Sequence, residues 1–319
     1  MTLIAILLAM ATERYWHPLS SYRIFLPLQS LREVILVRSE RIRFLDGAMG
    51  VLLTVSPAVI VIALLQYGLA DGDGFLMWLL MLAFSFLVIV ACVGDQRFGA
   101  HVRQYMTAVS AGDLVAAAEH LSRVSARGVR ADNLRQLNRD FLGLLLLRLN
   151  ERVLALLFWF VVLGPMGAVL YRSVTQLHGA GMMAADRPSG GAESTGDCRG
   201  DGFREAGQRL KAIMDWLPAR LAVLCYAVIG SFIDVLRSWR NKSRHPEGGW
   251  ASVNDHLLLD AGIGALQLQG VYADGVDHRD DLDTESACEH VLAVRALSTR
   301  TLVAWVTILA LMTLAGWLG

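Results

Sequence analysis

Two uncharged runs, Gly47 to Ala70 and Gly74 to Gly94, stand almost end to end, parted only by the acidic tip Asp71, Gly72, Asp73. A helix of about 20 apolar residues crosses the ~30 Å hydrocarbon layer at about 1.5 Å per residue, and each run is long enough. Backbone polar groups in lipid must be satisfied within the chain, so the two runs are predicted to form a transmembrane helical hairpin. Pro57 kinks the first helix, leaving a carbonyl for a neighbouring helix to satisfy. Val153 to Tyr171 and Thr301 to Gly319 are further uncharged runs. Gly164, Pro165 and Gly167 thin the middle of the former, which admits close approach of another helix. With 55% hydrophobic and 18% charged residues, the chain is too apolar for a soluble domain of ordinary surface. The expected fold class is all-α, a polytopic helical membrane protein with about four to six membrane segments and a helical cytoplasmic loop domain.

One stretch combines membrane character with charge. From Asp215 to Trp250 an amphiphilic DWLPARL turn leads into an apolar helix, and the helix into the basic, glycine-ended segment RSWRNKSRHPEGGW. Leu221 to Ile233 carries no charge but is too short to span unless Arg220 or Asp234 is taken in. Two readings of Arg220 stand side by side. In one it snorkels, its methylenes in lipid and its guanidinium among headgroups. In the other it pairs inside the bundle with Asp215, five residues away across Pro218, whose missing N–H opens the first turn.

The remaining segments fill in around these. Residues 1–46 are predicted to hold a short apolar segment ended by Glu13 and Arg14, followed by an amphipathic interfacial helix. Ser30 and Glu33 form its capping box. Residues 47–94 are the hairpin, 95–152 a cytoplasmic helical loop domain, and 153–175 a span. In the loop domain, SAGDLVAAAEHLSRV is expected to start at Ser110 or Gly112 and to place Leu114, Ala117, Ala118 and Leu121 on one face. Residues 176–210, rich in Gly, Ala, Ser and Asp, suggest a flexible periplasmic loop. Residues 211–236 form the DWLPARL membrane helix, 237–300 a cytoplasmic segment with a helix at Asn254 to Leu268, and 301–319 the last span. Arginine and lysine are concentrated in 13–46, 95–152 and 237–300, which places those segments in the cytoplasm. His278 with Asp277, Asp280, Asp281 and Asp283 could hold a metal, although clustered acids in a loop are commonly solvated. Cysteines at 92, 198, 225 and 288 make no CxxC pair, so neither a disulfide framework nor a zinc site is expected. The formal net charge is zero, and no nucleic-acid-binding patch is implied.

The segments AGDLVAAAEHLSRV, LFWFVVLGPMGAVLYR and MDWLPARLAVLCYAVIG, with the N-terminal MTLIAILLAMATERYW, resemble the AmpE proteins. More distantly they resemble the CobD/CbiB membrane enzymes of cobalamin biosynthesis. The AmpE resemblance implies a multi-pass protein of the cell inner membrane that senses or relays cell-wall status during β-lactamase induction. Its partners would be the lipid bilayer and a peptidoglycan amidase or another muropeptide-sensing protein. The CobD/CbiB resemblance implies an alternative, ATP-dependent joining of an amino-alcohol phosphate to a corrinoid carboxylate. Of the acids expected there, Glu151 remains while Leu147, Arg148 and Leu149 replace its companions. Gly248, Gly249 and Trp250 resemble a second motif in which Glu247 stands for an asparagine. A transporter of a small anionic solute, with Arg172 and Arg220 along its path, is the third class. The candidate ligand or signalling residues are Glu13, Arg14, Glu151, Arg172, Asp215, Arg220, His245, Gly249 and Trp250. No catalytic residue, metal ligand or cofactor is assigned.

Overall fold

The computed structural model describes residues 5–8, 47–72, 74–93, 97–125, 133–185, 201–242, 250–272 and 282–315. Among the described residues every regular element is helical. In order they are α1 (Ala48–Ala70), α2 (Phe75–Val93), α3 (Arg97–Ser110), α4 (Leu114–Ser125) and α5 (Leu134–Leu149), then a π-turn (Asn150–Leu154). There follow α6 (Ala155–Leu163), α7 (Pro165–Ala185), α8 (Asp201–Ile229), α9 (Phe232–Lys242), α10 (Trp250–Ala265), α11 (Gln269–Tyr272) and α12 (Thr284–Leu314). Among the described residues four helices, α1, α2, α8 and α12, are long and apolar enough to cross a membrane, and the protein is a multi-pass membrane protein. The chain divides into two compact units, one of Met1–Asp95, Ala155–Met214 and Ile308–Gly319, the other of Gln96–Leu154 and Asp215–Thr307.

In the first unit α1 and α2 form the expected hairpin. Gly50, Val51, Thr54 and Val55 of α1, and Ser85, Val88, Ile89, Ala91 and Cys92 of α2, are buried. Thr54 would be a costly polar group in that position, but its hydroxyl donates to the Gly50 carbonyl at 2.8 Å. The opposite faces expose Leu52, Leu53, Ile60, Leu64, Leu79 and Leu87, as helices bordered by lipid do. α7 packs against both helices.

The run 153–175 does not make the single span expected of it. At Gly164 the backbone takes φ 71°, a conformation open in practice to glycine, and Pro165 then starts α7 without an N–H to leave unsatisfied. The chain folds back on itself. Gly167 lies against the Trp159 carbonyl and the Leu163 side chain, an approach that a Cβ would block. α6 has nine residues, about 14 Å of helix, which is half the hydrocarbon thickness. The break is bridged from α1, where Gln66 Nε2 donates to the Leu163 carbonyl at 3.4 Å and Gln66 Oε1 accepts from Met166 N–H at 3.1 Å.

DWLPARL is likewise not a turn but lies inside α8. Pro218 has no N–H for the carbonyl four residues back, which belongs to Met214. That carbonyl instead accepts from Trp159 Nε1 at 3.2 Å, so a side chain of α6 replaces the missing helical bond. The stretch expected as a loop at 176–210 narrows at both ends, because α7 runs to Ala185 and α8 starts at Asp201, with Leu177 and Phe203 buried. α8 ends at Ile229, short of the expected 236, because Gly230 abuts the Ala265 carbonyl and Ser231 N–H donates to it at 3.2 Å.

In the second unit Gly112, at φ 73°, turns α3 into α4. Asp113 rather than Ser110 or Gly112 starts α4, its Oδ1 accepting from Ala116 N–H at 2.9 Å. Ala117, Ala118 and Leu121 are buried as the periodicity predicts, while Leu114 at the start of the helix is only half-buried. Asn133 caps α5, its Oδ1 accepting from Arg135 N–H at 2.8 Å. α5 and α10 approach closely through glycines, Gly143 facing Leu259 and Gly262 facing Leu146. The interfacial helix expected within 14–46 lies outside the described residues, as does the proposed acidic metal cluster apart from Asp283.

Candidate functional site

Where α5 ends, the helix widens into the π-turn Asn150–Leu154. Such single wide turns cost hydrogen-bond geometry and are frequent at functional sites. The Asn150 N–H is shared between the Leu146 and Leu147 carbonyls, the bifurcated bond common where an α-helix ends. The Asn150 side chain is 0% exposed, and neither its Nδ2 nor its Oδ1 has a hydrogen-bond partner. A buried amide left with all its hydrogen-bonding capacity is uncommon and calls for a reason. Beside it Glu151 is largely buried, and Arg148 Nη1 lies 3.4 Å from Glu151 Oε2. The π-turn therefore holds one unused amide and one carboxylate facing a guanidinium.

α8 supplies the other charged candidates. Asp215 is 4% exposed, and Lys211, one turn earlier on the same face, is 6% exposed. Arg220 does not join Asp215. Five residues place the two side chains about 140° apart around the helix. Arg220 Nη1 donates to the Trp216 carbonyl at 2.8 Å, and its guanidinium lies 4.0 Å from the Trp216 ring centroid. The guanidinium is thus taken up by Trp216 and not by Asp215.

Arg172 belongs to the first unit, on α7. Its neighbour Ser173 is fully buried with an unpartnered hydroxyl, and Gln176 Oε1 is also buried without a partner. Glu13, Arg14, His245 and Gly249 lie outside the described residues, and Trp250 is placed only as the first residue of α10. Among the described residues of the second unit the candidates thus occupy three places, Glu151 on the π-turn, Asp215 and Arg220 on α8, and Trp250 at the start of α10. Sequence reasoning overlooked Asn150 and Lys211. The signal for Asn150 was available, a polar Asn-Glu-Arg step inside the apolar run LLLLRLNERVLALLFWF.

A second polar cluster, also overlooked, centres on Asn138 of α5, which is fully buried. Tyr105 Oη donates to Asn138 Oδ1 at 3.2 Å, while Asn138 Nδ2 donates to Tyr272 Oη at 2.6 Å and to the Ala287 carbonyl at 3.1 Å. Tyr272 Oη in turn bonds His290 Nδ1 at 2.8 Å. Burial pushes the Tyr272 hydroxyl up to about 12 and the Tyr105 hydroxyl up as well, so both remain protonated donors at neutral pH. This network ties α3, α5, α11 and α12 together and uses every polar atom of Asn138.

With the geometry in place, the sequence profile described as "Regulatory signalling modulator protein AmpE" matches residues 1–247. The chain belongs to the AmpE family. The match takes in α1 to α8, the π-turn and α9. This AmpE-family chain is also similar to proteins described as "Cobalamin biosynthesis protein CobD". The protein from Chromobacterium violaceum is 29% identical over 179 residues, 56% of this chain and 52% of that protein. The protein from Stutzerimonas stutzeri is 33% identical over 117 residues, 37% of this chain and 33% of that protein. The "Probable cobalamin biosynthesis protein CobD" of Pyrococcus abyssi is 32% identical over 120 residues, 38% and 37% of the two chains. The matches therefore span about half or less of those relatives' length. No solved structure matches the chain.

Proposed function

We propose that this AmpE-family chain is a regulatory or sensory protein of the inner membrane that modulates β-lactamase induction in step with peptidoglycan recycling. The observation that carries the reading is the family match over residues 1–247, whose description names a regulatory signalling modulator. The π-turn is the proposed point of signal recognition, since the Asn150 amide can both donate to and accept from a ligand. A peptidoglycan amidase or a muropeptide-sensing protein is the proposed partner. The basic segments 95–152 and 237–300 face the cytoplasm in this reading. Reporter fusions at Gly72 test that orientation and should report the periplasm.

The second reading, an amide-forming enzyme of the CobD type, rests on the similarity to CobD proteins. Against it, Glu151 faces Arg148, and a carboxylate held by a guanidinium is a poorer metal-phosphate ligand than a free one. Deletion of the gene in a host with an inducible chromosomal β-lactamase separates the two. Under the regulatory reading, the induction ratio in response to a β-lactam changes several-fold and the wild-type gene restores it. Unchanged induction, together with rescue of corrinoid synthesis in a cell lacking that step, would establish the enzyme instead. Asn150→Leu refines the test. Asn150 has no bond to lose, so the variant should accumulate normally, and loss of regulation would then implicate the amide itself.

A further inference from the structure

α9 is held on one side and bare on the other. Val235 is buried against α10, Gln269 Nε2 donates to the Asp234 carbonyl at 3.2 Å, and Ser231 Oγ donates to Asp234 Oδ2 at 2.6 Å, which fixes the helix start. The outer face carries Phe232, Ile233 and Leu236 together with Arg237 and Arg240. Ile233 is 69% exposed, and Arg240 has no ion-pair partner among the described residues. Arg237 is shared, with Nη1 lying 3.3 Å from Asp234 Oδ1.

What covers that face follows from what precedes it. α8 is a membrane-spanning helix ending at Ile229, and its last turns expose Leu224 and Val228, the latter at 82%. Apolar side chains so exposed near the end of a span suit a surface that meets lipid. After the break at Gly230 the exposed apolar series continues with Phe232, Ile233 and Leu236, now interleaved with arginines. A helix of 11 residues is too short to cross, and one that starts where a span ends lies at the boundary of the hydrocarbon. Apolar side chains with arginine among them are what a helix in the headgroup plane presents to acyl chains below and to phosphates beside it.

We propose that α9 is an interfacial helix that seats Phe232, Ile233 and Leu236 at the acyl boundary and binds the phosphates of anionic phospholipids through Arg237 and Arg240. It is distinct from the interfacial helix expected near the N-terminus, and it would make the protein's lipid contacts selective for headgroup charge. Such arginines shift lipid binding by about fivefold each when removed.

The test uses the full-length chain in native membranes, with a photo-crosslinking benzoylphenylalanine at Ile233. Val228 serves as the lipid-facing control and exposed Glu119 of α4 as the aqueous one. The expected product at Ile233 is a phospholipid adduct, as at Val228. An adduct to another polypeptide, to a second copy, or no adduct, as at Glu119, would overturn the proposal. Native mass spectrometry of Arg237→Gln and Arg240→Gln then reads retained phosphatidylglycerol, which should fall about fivefold for each substitution and remain constant in Arg123→Gln. Equal retention in all three would overturn the headgroup assignment.

Discussion

The bond from Trp159 to Met214 can be weighed by a double-mutant cycle. Met214 loses its helical donor because Pro218 has no N–H, and Trp159 Nε1 at 3.2 Å is the replacement. Trp159→Phe removes that donor and leaves a backbone carbonyl unsatisfied among apolar groups. Deleting one partner of a buried bond costs ~1–3 kcal/mol in water-soluble proteins, whereas bonds inside membrane bundles average about 0.6 kcal/mol. A cost near 1 kcal/mol for the bond is therefore expected, plus a packing term for the smaller ring. In a Pro218→Ala background the new N–H can close the ordinary bond to Met214, so only the packing term should remain. The coupling between the two substitutions should then be ~1 kcal/mol. The assay is reversible unfolding in mixed micelles under increasing denaturing detergent, with all four proteins compared. If Trp159→Phe costs the same in both backgrounds to within about 0.3 kcal/mol, the indole is not standing in for the proline's missing donor.

Other outcomes follow from single contacts. Gly167→Ala places a Cβ on the Trp159 carbonyl and should lower stability by ~1–3 kcal/mol, whereas Gly207→Ala, in open space on α8, should raise it by up to about 1 kcal/mol; thermal midpoints in detergent compare them. Asn138→Leu breaks three hydrogen bonds and should cost ~2–4 kcal/mol by the same denaturation, and a loss under 1 kcal/mol would show the network to be dispensable. Arg220→Lys should leave both membrane abundance and regulation intact, because an ammonium can reach the Trp216 carbonyl and ring; loss of regulation at normal abundance would contradict the snorkelling geometry.

The α1–α2 hairpin was legible because hydropathy alone determines it, and the buried face of α4 was legible because helical periodicity does. LFWFVVLGPMGAVLY has the hydropathy of a single span because the segment is apolar on both sides of its turn. The reversal depends on φ at Gly164 and on Gln66, 97 residues from Leu163, and neither leaves a mark in local hydropathy. Pro218 suggests an opened turn for the same reason, since the donor that lets the helix continue comes from Trp159. Sequence proximity makes Arg220 and Asp215 a possible pair, which the helix overrides by pointing them to different faces. Asn150 is not marked in the sequence beyond its charged neighbour Glu151, because the widened turn that buries its amide exists only in three dimensions.

Gln66 serves both sides of the α6–α7 break with one amide group, so the reversal has its partner in a helix made well before it. Membrane helices emerge in chain order, and α1 is already in the bilayer when Leu163 and Met166 arrive. Vectorial synthesis thus delivers the acceptor and donor ahead of the two backbone groups that need them. A circular permutant that moved α1 behind α7 would keep every contact of the finished fold and lose that timing.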